Sequence, residues 1–226
     1  MNDPAFLRLI WLASPALPVG GFSYSEGLES AIERGLVADE AGAARWLQDQ
    51  LSLTLARCEL PLLAAALRAW QAQDLPRLRA LNDWQLHTRE THELRRQTEQ
   101  MGRAMLDWLR AHDATDPRLG TLASLEPAPS WPLAFALAAV QAAAPPQQTL
   151  LAFGFGWAEN LVQAAMKAVP LGQRAGQRVL AQLAGALPGC VESALACGDE
   201  ARQSYSPMLA IVSALHETQY SRLFRS

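Results

Sequence analysis

Arg89-Glu90-Thr91-His92-Glu93-Leu94-Arg95-Arg96-Gln97-Thr98-Glu99-Gln100-Met101-Gly102-Arg103-Ala104-Met105-Leu106-Asp107-Trp108-Leu109-Arg110-Ala111 is the stretch that decides the fold. Leu94, Met101, Met105, Trp108 and Leu109 recur at helical spacing and make one apolar stripe. Glu99 and Arg103 stand four apart on the polar side, where opposite charges meet on a helix. A strand would alternate at every second residue, and this stretch does not. It predicts an amphipathic helix that buries one face.

The sequence on either side reads the same way. Alanine, leucine, glutamine and arginine dominate, β-branched residues are sparse, and no segment of more than a few residues alternates. The expectation is an all-α fold: one helical-bundle-like domain over residues 1–226, with roughly eight to ten helices. A short helix is expected near residues 5–13, then a Pro/Gly-rich loop over 14–22. The next helix should run over 23–34, with Ser23 and Glu26 at capping-box spacing and Gly35 closing its C-terminus. A longer helical region over 40–73 should be kinked or divided at Pro61. Pro76 suits the first turn of a helix reaching residue 88. Residues 113–131 read as a long connection, followed by helices over 132–143, 146–169, 173–187 and 207–224. Ser206-Pro207 is a good start for the last of these.

Composition excludes several functions. The net charge of −3 offers no basic field for nucleic acid. Three cysteines, Cys58, Cys190 and Cys197, are too few and scattered for a disulfide framework, which fits a reducing cytoplasm. The first residues lack a signal pattern, and no continuous run reaches the roughly 18 apolar residues of a membrane span. Lys167 is the one lysine among nineteen basic residues.

Chemistry-bearing patterns are equally scarce. His87 and His92 are five apart and diverge by about 140° on a helix, so they do not clasp a metal. Cys190 and Cys197 would lie roughly 10 Å apart along a helix axis, too far to share a zinc. Gly20-Gly21-Phe22-Ser23 lacks the Lys and the strand of a phosphate loop, and Gly154-Phe155-Gly156 lacks a third glycine. On a helix, Gly154, Ala158 and Ala165 would instead let a neighbouring helix approach closely. No nucleophile elbow and no catalytic cysteine setting is present. The expectation is a non-enzyme with no catalytic residue, no metal ligand set and no cofactor of its own.

Three segments look made for contact. In Ser14 to Glu29, Pro18, Gly20 and Gly21 specify a loop path, and Tyr24, Glu26 and Glu29 follow where the chain enters a helix. Met166 to Gln173 is a helix–loop–helix joint carrying Lys167, which the helix dipole alone would explain. The chain then ends on His216-Glu217-Thr218-Gln219-Tyr220-Ser221-Arg222-Leu223-Phe224-Arg225-Ser226. Most chain ends are polar and loosely held. If this one continues the last helix, Leu209, Val212, His216, Tyr220 and Leu223 share an inward face. Arg222 and Arg225 then point outward without an intramolecular partner, and arginine with aromatics is a favoured interface pairing.

These segments together resemble the urease accessory protein UreF family. The pattern S-x-x-L-P-x-G-x-x-S-x-S-x-G-L-E matches Ser14 through Glu29 position by position. A basic residue followed by two residues and P-x-G-Q matches Lys167 and Pro170-Leu171-Gly172-Gln173. The ending H-E-x-Q-Y-S-R-L-F-R-S matches His216 to Ser226 in full, and Arg89 to Arg95 resembles the middle helix of members. Three positions depart. Trp131 precedes the proline where many members have histidine, Ala136 stands for a glycine, and Leu215 stands where members often carry arginine.

The resemblance implies an all-helical cytoplasmic homodimer without catalysis of its own. It implies binding to the accessory protein UreD (UreH in some organisms) and recruitment of the GTPase UreG, in a complex that loads nickel into apo-urease. Tyr24, Glu26, Glu29, Lys167, His216, Glu217, Tyr220, Arg222, Phe224 and Arg225 are then the expected partner-binding residues. Two alternatives stay open at this level: regulation of the UreG GTPase, or a generic helical scaffold with other partners.

Overall fold

Trp131-Pro132-Leu133-Ala134-Phe135-Ala136-Leu137-Ala138-Ala139 is apolar on every side, and a helix apolar all round belongs at the centre of a protein. In the computed structural model, which describes residues 3–226, it does lie at the centre. The helices are α1 (Asp3–Ala13), α2 (Leu28–Glu33), α3 (Glu40–Ala72), α4 (Leu75–His87), α5 (His92–His112), α6 (Arg118–Ala123), α7 (Trp131–Gln141), α8 (Pro146–Ala168), α9 (Gln173–Ala196) and α10 (Pro207–His216). Short 3-10 turns occur at Gly21–Ser23 and Asp199–Ala201. Among the described residues there is no strand, so the fold is all-α as the periodicity predicts.

Helix α7 is enclosed by α1, α3, α4, α5 and α6, while α8 and α9 pack against each other as a long pair. Pro132 through Ala139 are buried without a break. One hydrophobic core extends from Leu9 to Phe224. The approach to α7 is pinned by buried Asn82. Its amide donates to the carbonyls of Glu126 and Ala128 at 3.2 and 2.9 Å and accepts from the Ser130 N–H at 2.8 Å. That segment crosses α5 at Gly102, where a Cβ would stand 1.9 Å from the Pro129 carbonyl oxygen. Gly154 has the predicted packing role. A Cβ there would meet Leu187 of α9 at 2.6 Å, and Ala158 and Ala165 are buried beside it.

Asp39, Asp74 and Thr91 each accept an N–H in the first turn of their helices, at 2.7, 3.0 and 3.3 Å. These caps satisfy donors that a helix start leaves free. Gly35, at φ 73°, closes α2 as expected.

Four expectations need correction. Pro61 does not divide α3. A π-helical stretch, Leu51–Glu59, precedes it, and the Leu60 N–H reaches back to the Leu55 carbonyl. The widened turns accommodate a ring that supplies no N–H and crowds the preceding carbonyls, so the helix continues. Likewise α9 runs on through Pro188 to Ala196, because Val191 and Ala194 continue the buried stripe of Val179, Leu183 and Leu187. The connection over 113–131 contains α6, seated by Leu119 and Leu122. Finally, α3 and α9 are long and apolar enough in length and composition to cross a bilayer, although no continuous apolar run suggested it. For α3 the reason is core burial, with 67 % of its most apolar window buried inside the protein. On α9 the corresponding figure is 28 %, and Arg174, Arg178 and Glu192 are among its exposed side chains.

Candidate docking site

The chain end lies across the start of α2 and the first turns of α5, and backbone and side chains build the contact together. Glu29, in the first turn of α2, is the centre. Its carboxylate accepts the Leu223 and Phe224 N–H groups at 2.7 and 2.9 Å and the Gln219 amide at 3.4 Å. Next to it is the fully buried ring of His216, at the end of α10. His216 Nε2 lies 3.2 Å from Glu29, and Nδ1 lies 2.6 Å from Glu93 of α5. Each ring nitrogen therefore faces a carboxylate oxygen, one on α2 and one on α5. The other oxygen of Glu93 accepts from Arg222 at 2.6 Å. Glu217 in turn accepts the Glu93 backbone N–H, a free donor in the first turn of α5, at 3.1 Å.

The last two residues continue the seam. The Arg225 N–H donates to the Ser23 carbonyl at 2.8 Å, and the Ser25 N–H donates to the Ser226 carbonyl at 2.8 Å. The Ser226 hydroxyl donates to Gln97 of α5 at 2.9 Å, and the Gln97 amide donates to Glu26 at 2.7 Å. Phe224 is buried, and Lys167 lies over its ring at 5.9 Å. A cation over an aromatic face is attractive, so Lys167 has a partner beyond the helix dipole.

These contacts overturn the helical reading of the tail. The last helix stops at His216, and residues 217–226 follow the N-terminal loop instead. Tyr220 and Leu223 are therefore not on an inward stripe; they are 105 % and 70 % exposed. His216 does not meet Tyr220, and Arg222 has an intramolecular partner in Glu93. Phe224, which the stripe omitted, is the apolar anchor. The physical reason is competition for the backbone: Glu29, Ser23 and Ser25 offer acceptors and a donor that outbid further helical turns.

The N-terminal loop is corrected too. Ser23 ends a 3-10 turn, Glu26 has φ 51° and α2 begins only at Leu28, so Ser23 and Glu26 do not form a capping box. Gly27 needs its φ of 76°, and a Cβ there would press on Val212 and Leu209 of α10 at 3.0 and 3.2 Å. Gly20 takes φ 78°, and a Cβ on Gly21 would come within 2.7 Å of the Asn160 amide. Pro18 is exposed between buried Leu17 and Val19. Tyr24 is buried, with its hydroxyl donating to Gln100. Burial raises its pKa, which Arg225 opposes.

Glu26 turns inward. Its carboxylate accepts from Gln97 and, at 3.0 Å, from the Trp157 indole. It borders a cavity of 60 Å³ shared with Glu59 and Arg89. Burial, reinforced by the charge of Glu59, pushes the Glu26 pKa up; the Trp157 and Gln97 hydrogen bonds pull the other way. Glu59 pairs with partly buried Arg89. Burial works against the charge on Arg89, but Glu59, Cys58 and Glu26 outweigh it and raise its pKa. Burial also pushes the Cys58 thiol up to about 11, which keeps it protonated and unreactive. Cys190 and Cys197 are only partly buried.

Of the expected site residues, Tyr24, Glu26, Glu29, His216, Glu217, Arg222, Phe224 and Arg225 meet at this seam, with Lys167 at its edge. Tyr220 stands clear of it. Glu93, Gln97, Gln100, Ser25, Arg96 and the Glu59–Arg89 pair were missed. Glu93, Gln97 and Gln100 share one polar face of α5, at spacings of four and three, and that stripe was the available signal. Among the described residues, no group of three or more His, Cys, Asp or Glu side chains is arranged to hold a metal ion. What the seam can do is present a fixed outer surface.

The comparisons with known proteins agree with the three matched segments. The family model UreF matches residues 37–184. The chain is 62 % identical to the urease accessory protein UreF of Paracidovorax citrulli, over 98 % of this chain and 89 % of that protein. It is 60 % identical to the proteins of that name from a Polaromonas species, over 98 % and 95 % of the two chains, and from Methylibium petroleiphilum, over 97 % and 93 %. With this identity over nearly its whole length, the chain belongs to the UreF family of urease accessory proteins, which take part in urease maturation.

Proposed function

We propose that this chain is the adaptor of the assembly that inserts nickel into apo-urease in a GTP-dependent step. It bridges UreD (UreH) and the GTPase UreG, and works in the cytoplasm as a homodimer. The observation that carries the reading is the seam. Buried polar contacts fix the chain end, and the same contacts leave Tyr220 and Leu223 fully or largely exposed. A protein that needed the tail only for stability would turn those side chains inward. Exposed apolar side chains on α1, namely Phe6, Leu7, Ile10 and Trp11, support a further apolar contact such as pairing of two copies. Nickel is cargo of the whole assembly in this reading, and the chain needs no cofactor of its own.

The test is urease activation in a strain that lacks its own UreF and is supplied with this chain and its cognate UreD and UreG. Restored activity, lost again when Arg222 through Ser226 are removed from a chain that still folds, is the expected result. Failure of the full-length chain to restore activity would overturn the reading.

A further inference from the structure

We propose that the groove beside the chain end receives an acidic segment of a protein partner. This deepens the adaptor reading and rests on it. The groove holds 320 Å³ and runs between α5 and the tail, with Arg96, Arg222 and Arg225 around Tyr24 and Phe224. Among the described residues Glu93 is the only carboxylate lining it, and both its oxygens are already engaged, one by Arg222 and the other by His216. Arg96 and Arg225 are exposed and form no salt bridge among the described residues. Arg225 lines the groove together with Tyr24, and its backbone is held by Ser23, so this cation is carried on a fixed stretch of chain. Lys167, which pairs with no carboxylate among the described residues, approaches the same Phe224 ring.

Unpaired arginines occur elsewhere on this surface. Here they converge on one concave site with a fixed floor, in a chain whose net charge is −3. Such a local reversal of sign attracts a complementary charge and speeds encounter. The occupant is best matched by a short run of Asp or Glu side chains. Guanidinium groups bind carboxylates through paired hydrogen bonds, and the Tyr24 and Phe224 rings offer apolar surface to the methylenes that carry them. A long polyanion would extend past the groove onto a body of the wrong sign.

The full-length chain is titrated with a labelled oligo-glutamate peptide at low and high salt, and with inorganic polyphosphate of equal charge. The same proteins are then used to follow assembly with purified UreD and UreG. Oligo-glutamate should bind, weaken with salt and be lost in the Arg96→Glu/Arg225→Glu variant. Assembly should slow by about tenfold in that variant. Both side chains are exposed, so the variant should keep its helical spectrum; Arg96→Gln serves as a milder check. Oligo-glutamate binding that ignores the substitutions, or polyphosphate bound more tightly than oligo-glutamate, would overturn the proposal and leave the adaptor reading standing. Variant-sensitive peptide binding with no UreD or UreG assembly at all would support the groove and overturn the adaptor reading.

Discussion

The packing around α7 and the seam at the chain end are held by different physics. Around α7, Trp131, Phe135 and Phe153 pack with ring centroids 5.1–5.9 Å apart, Phe135 edge-on to the other two, and alanines bring neighbouring helices close. Burial of apolar surface there is large and nondirectional. At the seam, one carboxylate, Glu29, faces two backbone N–H groups, a glutamine amide and the His216 ring. Hydrogen bonds of that kind are directional, so they specify geometry as well as adding local stability, and they cost much if a buried partner is left unpaired. The core therefore decides whether the chain folds, and the seam decides where its last ten residues are presented.

The largest expected effect lies in the core. Phe135→Ala should cost about 3–5 kcal/mol, as removal of a fully buried aromatic does. Denaturant unfolding followed by circular dichroism should show it as a lower midpoint for loss of the helical signal. A loss below about 1 kcal/mol would mean that α7 is not the centre of packing.

A smaller effect separates the regions by pH. Burial raises the folded pKa of Glu26 above its unfolded value, so the folded state binds this proton more readily. Its contribution to stability is fully present below the unfolded carboxylate pKa and is lost as pH rises through the raised folded value. Glu26→Gln should remove that part of the profile, so the variant gains on the wild type as pH rises from about 4 toward neutrality. Asp116 supplies the opposite sign. Arg118 holds its pKa at about 2, so its contribution is lost only as pH falls through that value, in both proteins. Parallel pH profiles for wild type and variant would remove Glu26 from the account.

The helices were legible in the sequence because their causes are local. The stripe of Leu94, Met101, Met105, Trp108 and Leu109 and the stop at Gly35 each depend on residues within a few turns. The seam residues were legible mainly through family resemblance. Their arrangement was not, because it depends on pairs such as Glu29 with Leu223, 194 residues apart. The tail read as helix since its apolar residues allow one, and nothing local announces that Glu29 will capture its backbone. Glu93 and Gln97 look like an ordinary solvated face until the tail is laid on them. Pro188 misled for the opposite reason: a strong local signal was overridden by apolar burial on both sides.

The most direct test of a seam distinct from the core is amide hydrogen exchange in Glu29→Ala. Losing charge-assisted bonds of about 1.5–3 kcal/mol should cut protection of the Leu223 and Phe224 amides by roughly one to two orders of magnitude. Core amides in α7 and α8, such as those of Ala139 and Leu161, should keep their wild-type rates. An equal loss of protection at tail and core would contradict the account, because it would make the chain end part of the same cooperative unit as α7.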